Sequence, residues 1–304
     1  KHIRVFGLLI KDTYRKNEIN VESLEILENN VAGSEDNYVL GEKRVAVVLL
    51  KNGNYYYENP SNFQDLIFNR DNFGNVNNYM YEVSYHKMWF SGNVYGWYDL
   101  HQGEDCLFIF NENFINELID LGIPLGQYDY LHVIRQMNVN NYSSCTYSTL
   151  GKRNYFTQNG IISLGVSGNN RQGNYTGLHA SIHELGHNLG LGHASRIYCY
   201  GQGSLEEGCL DIVYGNYFNV MGRASYMQSF DAAQKYLLGW FDYDDVIEVS
   251  YSGNYLIKPY EVALDKPKVL KIESNKEINL TTVHGGSVTG NATDFYIEFR
   301  RPFL

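Results

Sequence analysis

The order of apolar and polar residues divides the chain into segments of different period. Residues 43–52, "KRVAVVLLKN", form a continuous apolar and β-branched run, the pattern of a strand buried on both faces. In "NPSNFQDLIFN" the period changes. Phe63, Leu66 and Ile67 share one face of a predicted helix, and Asn59 or Ser61 offers a capping oxygen at its start. Residues 79–100, "YMYEVSYHKMWFSGNVYGWYDL", alternate aromatic and polar positions and predict strands. "NENFINELIDLG" predicts an amphipathic helix with Phe114, Leu118 and Leu121 along one stripe and Gly122 as its stop. "YLHVIRQM" (130–137) returns to a buried strand, and strand, helix, strand in this succession indicates an α/β core. From residue 246 on, "VIEVSYSGNYLIKP", "KVLKIES" and "DFYIEFRRP" predict strands and turns without a helix. Residues 1–40 carry two short strand patterns, "HIRVFGLLI" and "VESLEIL", and a polar turn, "NNVAGSEDN". The expected organisation is a strand-rich N-terminal segment over 1–40, an α/β domain over 41–245 and a small β-rich domain over 246–304.

Composition narrows the partners. The chain has 304 residues, 44% of them hydrophobic, enough to bury one large core or two modest ones. Its net charge of −10, with no basic block, argues against nucleic acid and anionic membrane. The longest apolar run, "VAVVLL", is far short of the ~20 residues that span a bilayer, so no transmembrane segment is expected. "VFGLLI" is too short for a signal-peptide core of ~7–15 residues, and any targeting segment is expected to lie outside this chain. Four cysteines, Cys106, Cys145, Cys199 and Cys209, include no C-x-x-C pair, which disfavours a thiolate metal site. Three disulfide pairings exist in principle. Cys199 with Cys209, which share one Gly-rich segment, and Cys106 with Cys145 form the preferred set, which would suit an oxidising, extracellular setting; four buried free thiols in a cytosolic protein are the other reading. N-x-[ST] sequons stand at Asn141, Asn174, Asn279 and Asn291.

One stretch carries chemistry. In "LHASIHELGHNLGLGHAS", Leu178, Ile182, Leu185 and Leu189 recur with a 3.6-residue period and form one apolar helix face. His183 and His187 are i and i+4, one turn apart on another face, where two neutral imidazoles can hold one metal ion. Glu184 lies ~100° further round the helix, poorly placed to ligate but able to reach a water on the metal. Gly190 can take the positive φ that ends a helix, which lets the chain turn back and bring His193 to the same ion. Three imidazoles leave one tetrahedral position open, the arrangement of a catalytic zinc rather than a structural one. Zinc lowers the pKa of a bound water from ~15.7 towards ~7 and polarises a carbonyl. Glu184 is then the general base that takes the water's proton and passes it to the leaving amine.

The full pattern H-E-x-x-H-x-x-G-x-x-H resembles the signature of the metzincin clan of zinc endopeptidases. Within it the chain is most similar to the gametolysin family and its bacterial relatives, a likeness carried by "RVAVVLL", "YMYEVSYHKMWFSGNVYGW", "YLHVIRQM", "HELGHNLGLGHA", "YGNYFNVMG", "FDAAQKYLLGW" and "FYIEFRRP". The resemblance implies a metzincin-type catalytic domain, a mixed twisted sheet with a zinc-binding active-site helix, followed by a small β-rich domain. It also implies a methionine turn below the metal. Met221 in "YGNYFNVMGR" matches better than Met137, which lies upstream, or Met227, which precedes a helix-like run. "GIISLGVSG" (160–168) precedes the zinc helix, where metzincins keep the edge strand that pairs with substrate; an ordinary strand is the other reading. Two departures stand out. Ala194 follows the third histidine where several families have an acidic residue, proline or serine. Arg223 replaces the tyrosine that astacin-like and serralysin-like enzymes add as a ligand. Residues 1–40 resemble the end of a pro-segment but hold no cysteine to cap a zinc, which leaves other pro-segment contacts open.

The expected function is a secreted or cell-surface zinc-dependent endopeptidase with one catalytic zinc, acting on extracellular, matrix or cell-wall proteins and peptides. The alternatives are a non-catalytic extracellular binding or structural module on the same scaffold, and a metal-dependent hydrolase of non-peptide bonds. Among the other histidines, His179 is read as a helix-start residue and His132 as a hydrogen-bonded core residue. His86, His101 and His284 have no metal-spaced partner. Asp231 is expected to start a helix and Trp240 to be core. Asp105, Glu206 and Glu207 could serve calcium, although no calcium-loop motif is present.

Overall fold

The computed structural model describes residues 7–9, 18–21, 39–51, 59–72, 74–99, 112–136, 149–157, 160–169, 174–199, 209–223, 228–261, 263–282 and 287–301. It is a mixed α/β chain of two compact units, one made of residues 1–38 with 193–304 and the other of residues 39–192. The first of these divisions lies two residues from the expected boundary at 40, and the second falls at 192/193, within the span expected as one α/β domain. In the first unit, strands β1 (Gly7–Leu9) and β2 (Glu18–Val21) pair antiparallel near the N-terminus.

The 39–192 unit is built on β3 (Gly41–Leu50), the run expected as a buried strand. Val45 through Leu50 are all buried, as a strand with parallel neighbours on both sides requires. Helix α1 (Pro60–Phe68) follows, capped by Asn59, whose side-chain oxygen accepts from Ser61 N–H at 3.0 Å; that settles which of the two expected residues caps it. Residues 79–83, expected as strand, then depart from expectation, because with 76–78 they form helix α2 (Val76–Val83). Val76 and Met80, four apart, are buried, and Asn77 bonds the backbone of Phe68 and Phe90 through its amide. These side-chain bonds and the i,i+4 burial outweigh the aromatic alternation. Tyr85 and His86 turn the chain at φ 55° and 66°, and strand β4 (Met88–Tyr98) begins only after them.

Helix α3 (Glu112–Asp120) packs Phe114, Ile115 and Leu118 into a core with Ala46, Val48, Leu131 and Val133. Leu121, expected on that stripe, is 45% exposed because the helix has ended before it, while Gly122 (φ 82°) makes the turn as expected. Strands β5 (Tyr130–Gln136), β6 (Thr149–Thr157) and β7 (Gly160–Asn169) complete a sheet of order β4-β3-β5-β7-β6. Four strands are parallel; β6 is antiparallel to β7 and forms the edge. The segment 160–168 is therefore an interior strand, because β6 covers its outer side. Helix α4 (Asn174–Asn188) follows β7.

The remainder of the first unit is strand-rich. Strands β8 (Arg196–Cys199) and β9 (Cys209–Ile212) form an antiparallel pair, followed by helix α5 (Ala232–Leu237), β10 (Val246–Glu248), β11 (Gly253–Leu256), β12 (Val269–Thr282) and β13 (Ser287–Glu298). One sheet runs β10-β12-β9-β8, with β13 paired to β12; another runs β1-β2-β11. Residues from 246 on thus share a sheet with strands that precede them, and no helix occurs among their described residues. Asp231 caps α5 and Trp240 is core, both as expected. This unit buries charge as well as hydrocarbon. Lys268 pairs with Asp245 deep inside, and Lys235 lies 4.4 Å from the centre of the Tyr260 ring, where burial pushes its amine down to about 7. Among the described residues no helix is long and apolar enough to cross a membrane.

Candidate metal centre

Helix α4 carries the first part of the site. Its apolar face forms as the spacing requires, with Leu178, Ile182, Leu185 and Leu189 all buried. His183 and His187 share the other face, their ring centres 4.9 Å apart. The helix ends in a paired closure: Gly190 N–H donates to His187 C=O at 2.9 Å, and Leu191 N–H reaches back to Gly186 C=O at 3.0 Å. That Schellman geometry needs a left-handed residue, and Gly190 supplies it at φ 105°. The same turn orients the second imidazole. Leu191 C=O lies 2.8 Å from His187 Nδ1, and because a carbonyl only accepts, Nδ1 carries the proton and Nε2 keeps its lone pair.

Past the turn the chain delivers His193. One ligand atom from each of His183, His187 and His193 lies within 4.8 Å of the others. Their exposure is graded: His183 is buried, His187 half-buried and His193 exposed. The donor set, three imidazoles with one ligand atom each, fits a metal ion. Glu184 is 1% exposed, held on α4 beside the first of the three.

His193 and the turn that carries Met221 belong to the same unit and are tied through the backbone. Ala194 N–H donates to Met221 C=O at 2.9 Å, and Asn216 N–H to Ala194 C=O at 3.2 Å. Met221 is fully buried, and at Gly222 an added Cβ would lie 2.0 Å from Asn216 C=O, so only glycine closes this turn. Tyr214, held at φ 59°, lays its ring 3.8 Å from the centre of the His193 ring. Between these points, Cys199 and Cys209 are bonded to each other across the end of the β8–β9 pair, as preferred from sequence.

The other histidines separate clearly. His179 stays outside the three-ligand group, its ring centre 6.1 Å from that of His183, and burial holds its pKa below the ordinary value. His132 is fully buried on β5, with Nε2 3.2 Å from Ser181 Oγ on α4; desolvation pushes its pKa down to about 4. It joins α4 to the sheet, as its core reading implied. His86 stacks on Tyr81. Cys106, Cys145, His101, His284, Met137, Met227, Asp105, Glu206, Glu207 and Asn141 lie outside the described residues, as do the side chains of Asn174, Asn279 and Asn291.

Sequence reasoning missed Tyr214, Asn219 and Ser181. The side chains of Tyr214 and Asn219 meet partners distant in the chain, His193 for the one and Asp231 and Gln234 for the other, and neither belongs to a periodic pattern. No family model matches this chain, and no curated protein matches it.

Proposed function

We propose that the chain is a secreted zinc-dependent endopeptidase of the metzincin type, acting on extracellular proteins or peptides. The observation that carries this reading is the gathering of His183, His187 and His193 with Glu184 buried beside them. A zinc ion held by those three imidazoles supplies Lewis acidity and lowers the pKa of a water in the open position. The rest of the reaction belongs to the chain. Glu184 takes a proton from the attacking water and returns it to the leaving amine, a task suited to a carboxylate on a rigid helix one residue from a ligand. His187, with its Nδ1 proton committed to Leu191, presents its other nitrogen in a fixed plane.

Two further features support the reading. The sheet of residues 39–192 ends in the antiparallel edge strand β6, whose outer side can take an extended peptide as an added strand. The Cys199–Cys209 bond accords with an oxidising, extracellular setting. The test is hydrolysis of an unfolded protein by the purified chain carrying one equivalent of zinc. Cleavage should stop with a chelator and return with zinc. Full zinc occupancy without cleavage of any member of a broad peptide library overturns the assignment.

A further inference from the structure

The residues that follow His193 are joined by a continuous line of hydrogen bonds. Ala194 N–H donates to Met221 C=O at 2.9 Å, which ties the residue next to the third imidazole to the methionine turn. Met221 N–H donates to Asn219 Oδ1 at 2.8 Å. The other end of the same amide, Asn219 Nδ2, donates to Asp231 Oδ2 at 2.7 Å and to Gln234 Oε1 at 2.8 Å. Asp231 and Gln234 are the reciprocal cap of α5, with Gln234 N–H donating to Asp231 Oδ1 at 2.9 Å. That end is itself anchored to the last strand: Glu298 accepts from Ala232 N–H at 2.6 Å and from Arg300, and Arg300 also donates to Phe218 C=O.

Asn219 is fully buried at the centre of this line. The position calls for an acceptor towards Met221 N–H and a donor towards two oxygens, separated by the width of one amide. Aspartate has the same shape but would bring a third oxygen against Asp231 Oδ2 and Gln234 Oε1, with no proton between them.

We infer that Asn219 is a positioning residue of the metal centre: it sets the Met221 turn, which holds Ala194 and through it the place of the His193 imidazole. The inference rests on the zinc reading of the three histidines. Partners bonded directly to a ligating side chain change metal affinity by ~10–100-fold when replaced, which bounds from above the effect of a residue acting through the backbone.

The test compares the parent with Asn219→Asp, and with Asn219→Asp combined with Asp231→Asn. In the metal-free protein, hydrogen exchange at Ala194 N–H should accelerate at least about tenfold in the single variant, while the β3 amides stay protected. In the loaded protein, zinc affinity by chelator competition should fall by up to ~10–100-fold, and the visible absorption of the cobalt form should shift. The double variant places a donor opposite the new carboxylate and keeps a capping oxygen on residue 231, so it should recover most of the affinity. Parental exchange at Ala194 together with parental zinc affinity in Asn219→Asp overturns the inference. Should that variant fail to fold, Asn219→Ser, which can still accept and donate, must bind zinc more tightly than Asn219→Ala; equal affinities overturn it as well. A parent that neither holds zinc nor cleaves peptide defeats the zinc reading alone, and the exchange at Ala194 still decides for or against Asn219.

Discussion

Two of the three grouped imidazoles stand on a helix and the third on a turn, and the two halves are fixed by different physics. His183 and His187 are aligned by the pitch of α4 and by the Gly190 closure, every contact of which lies within five residues. His193 has no helix under it. Its neighbour Ala194 is held by Met221, Met221 by Asn219, and Asn219 by a cap at residues 231–234. The difference teaches that a spacing motif defines a site only as far as local geometry reaches. Beyond that, the ligand depends on side chains that no motif contains.

The largest expected effect sharpens the helix half. Glu184→Gln keeps the shape and hydrogen bonding of the side chain but cannot accept a proton. Its kcat/KM on a peptide should fall by ~10²–10⁴ while zinc content by elemental analysis stays parental. Near-parental turnover would end the proposed mechanism, and joint loss of zinc would show that Glu184 is a ligand instead.

The next test asks whether the helix half can be loosened by acid. His132 has a folded-state pKa of about 4 against an ordinary 6.5, so the unfolded chain binds more protons between those values. The stability that neutral His132 allows is fully present above pH 6.5 and is lost as pH falls through 4. Its size is about 3 kcal/mol. Denaturant unfolding of the metal-free protein at pH 7.5 and 4.5 should show that loss in the parent and a flatter profile in His132→Asn. Parallel profiles would remove His132 from the account.

The turn half is tested through its disulfide. Replacing Cys199 and Cys209 by serine opens a ten-residue loop and should cost roughly 2–3 kcal/mol in unfolding free energy. The comparison of halves predicts that zinc affinity weakens with it while α4 keeps its hydrogen-exchange protection. Equal loss of protection in α4 and in residues 209–223 would erase the distinction.

The smallest effect concerns Met221. Met221→Leu nearly conserves volume in a fully buried place, so the cost should stay below ~1.5 kcal/mol, with zinc retained. Complete loss of zinc would mean that the sulfur, and not the packing, is what the site needs.

What could be read in the sequence follows the same division. The buried strand 41–50, the α4 face and the Gly190 stop are written in runs and periods of a few residues, and each forms as expected. Residues 79–83 could not be read that way, because a buried Asn77 bonding Phe68 and Phe90 decides for helix, and those partners lie nine and thirteen positions off. Leu121 fits the stripe of α3 by number but falls past the helix end. The edge of the sheet was also invisible, since β6 and β7 are adjacent in sequence and only their pairing tells which one is outermost. Asn219 resembles any of the many asparagines of this chain until Asp231 is placed beside it.

The anchoring of the turn by Glu298 and Arg300 bears on how the molecule is made. A ribosome delivers the chain in order, and His193 emerges just over a hundred residues before Glu298. At ~5–20 residues per second that interval is roughly 5–20 s. Throughout it, α4 has every residue it needs for its own turns, while Ala232 N–H and Phe218 C=O still await the partners that the last strand brings. Nascent chains stalled before residue 298 should therefore show Ala194 N–H exchanging faster than in chains released past residue 301, and equal rates would refute this order of events. Assembly of the site is timed by the arrival of residues 298–300, not by the appearance of its motif.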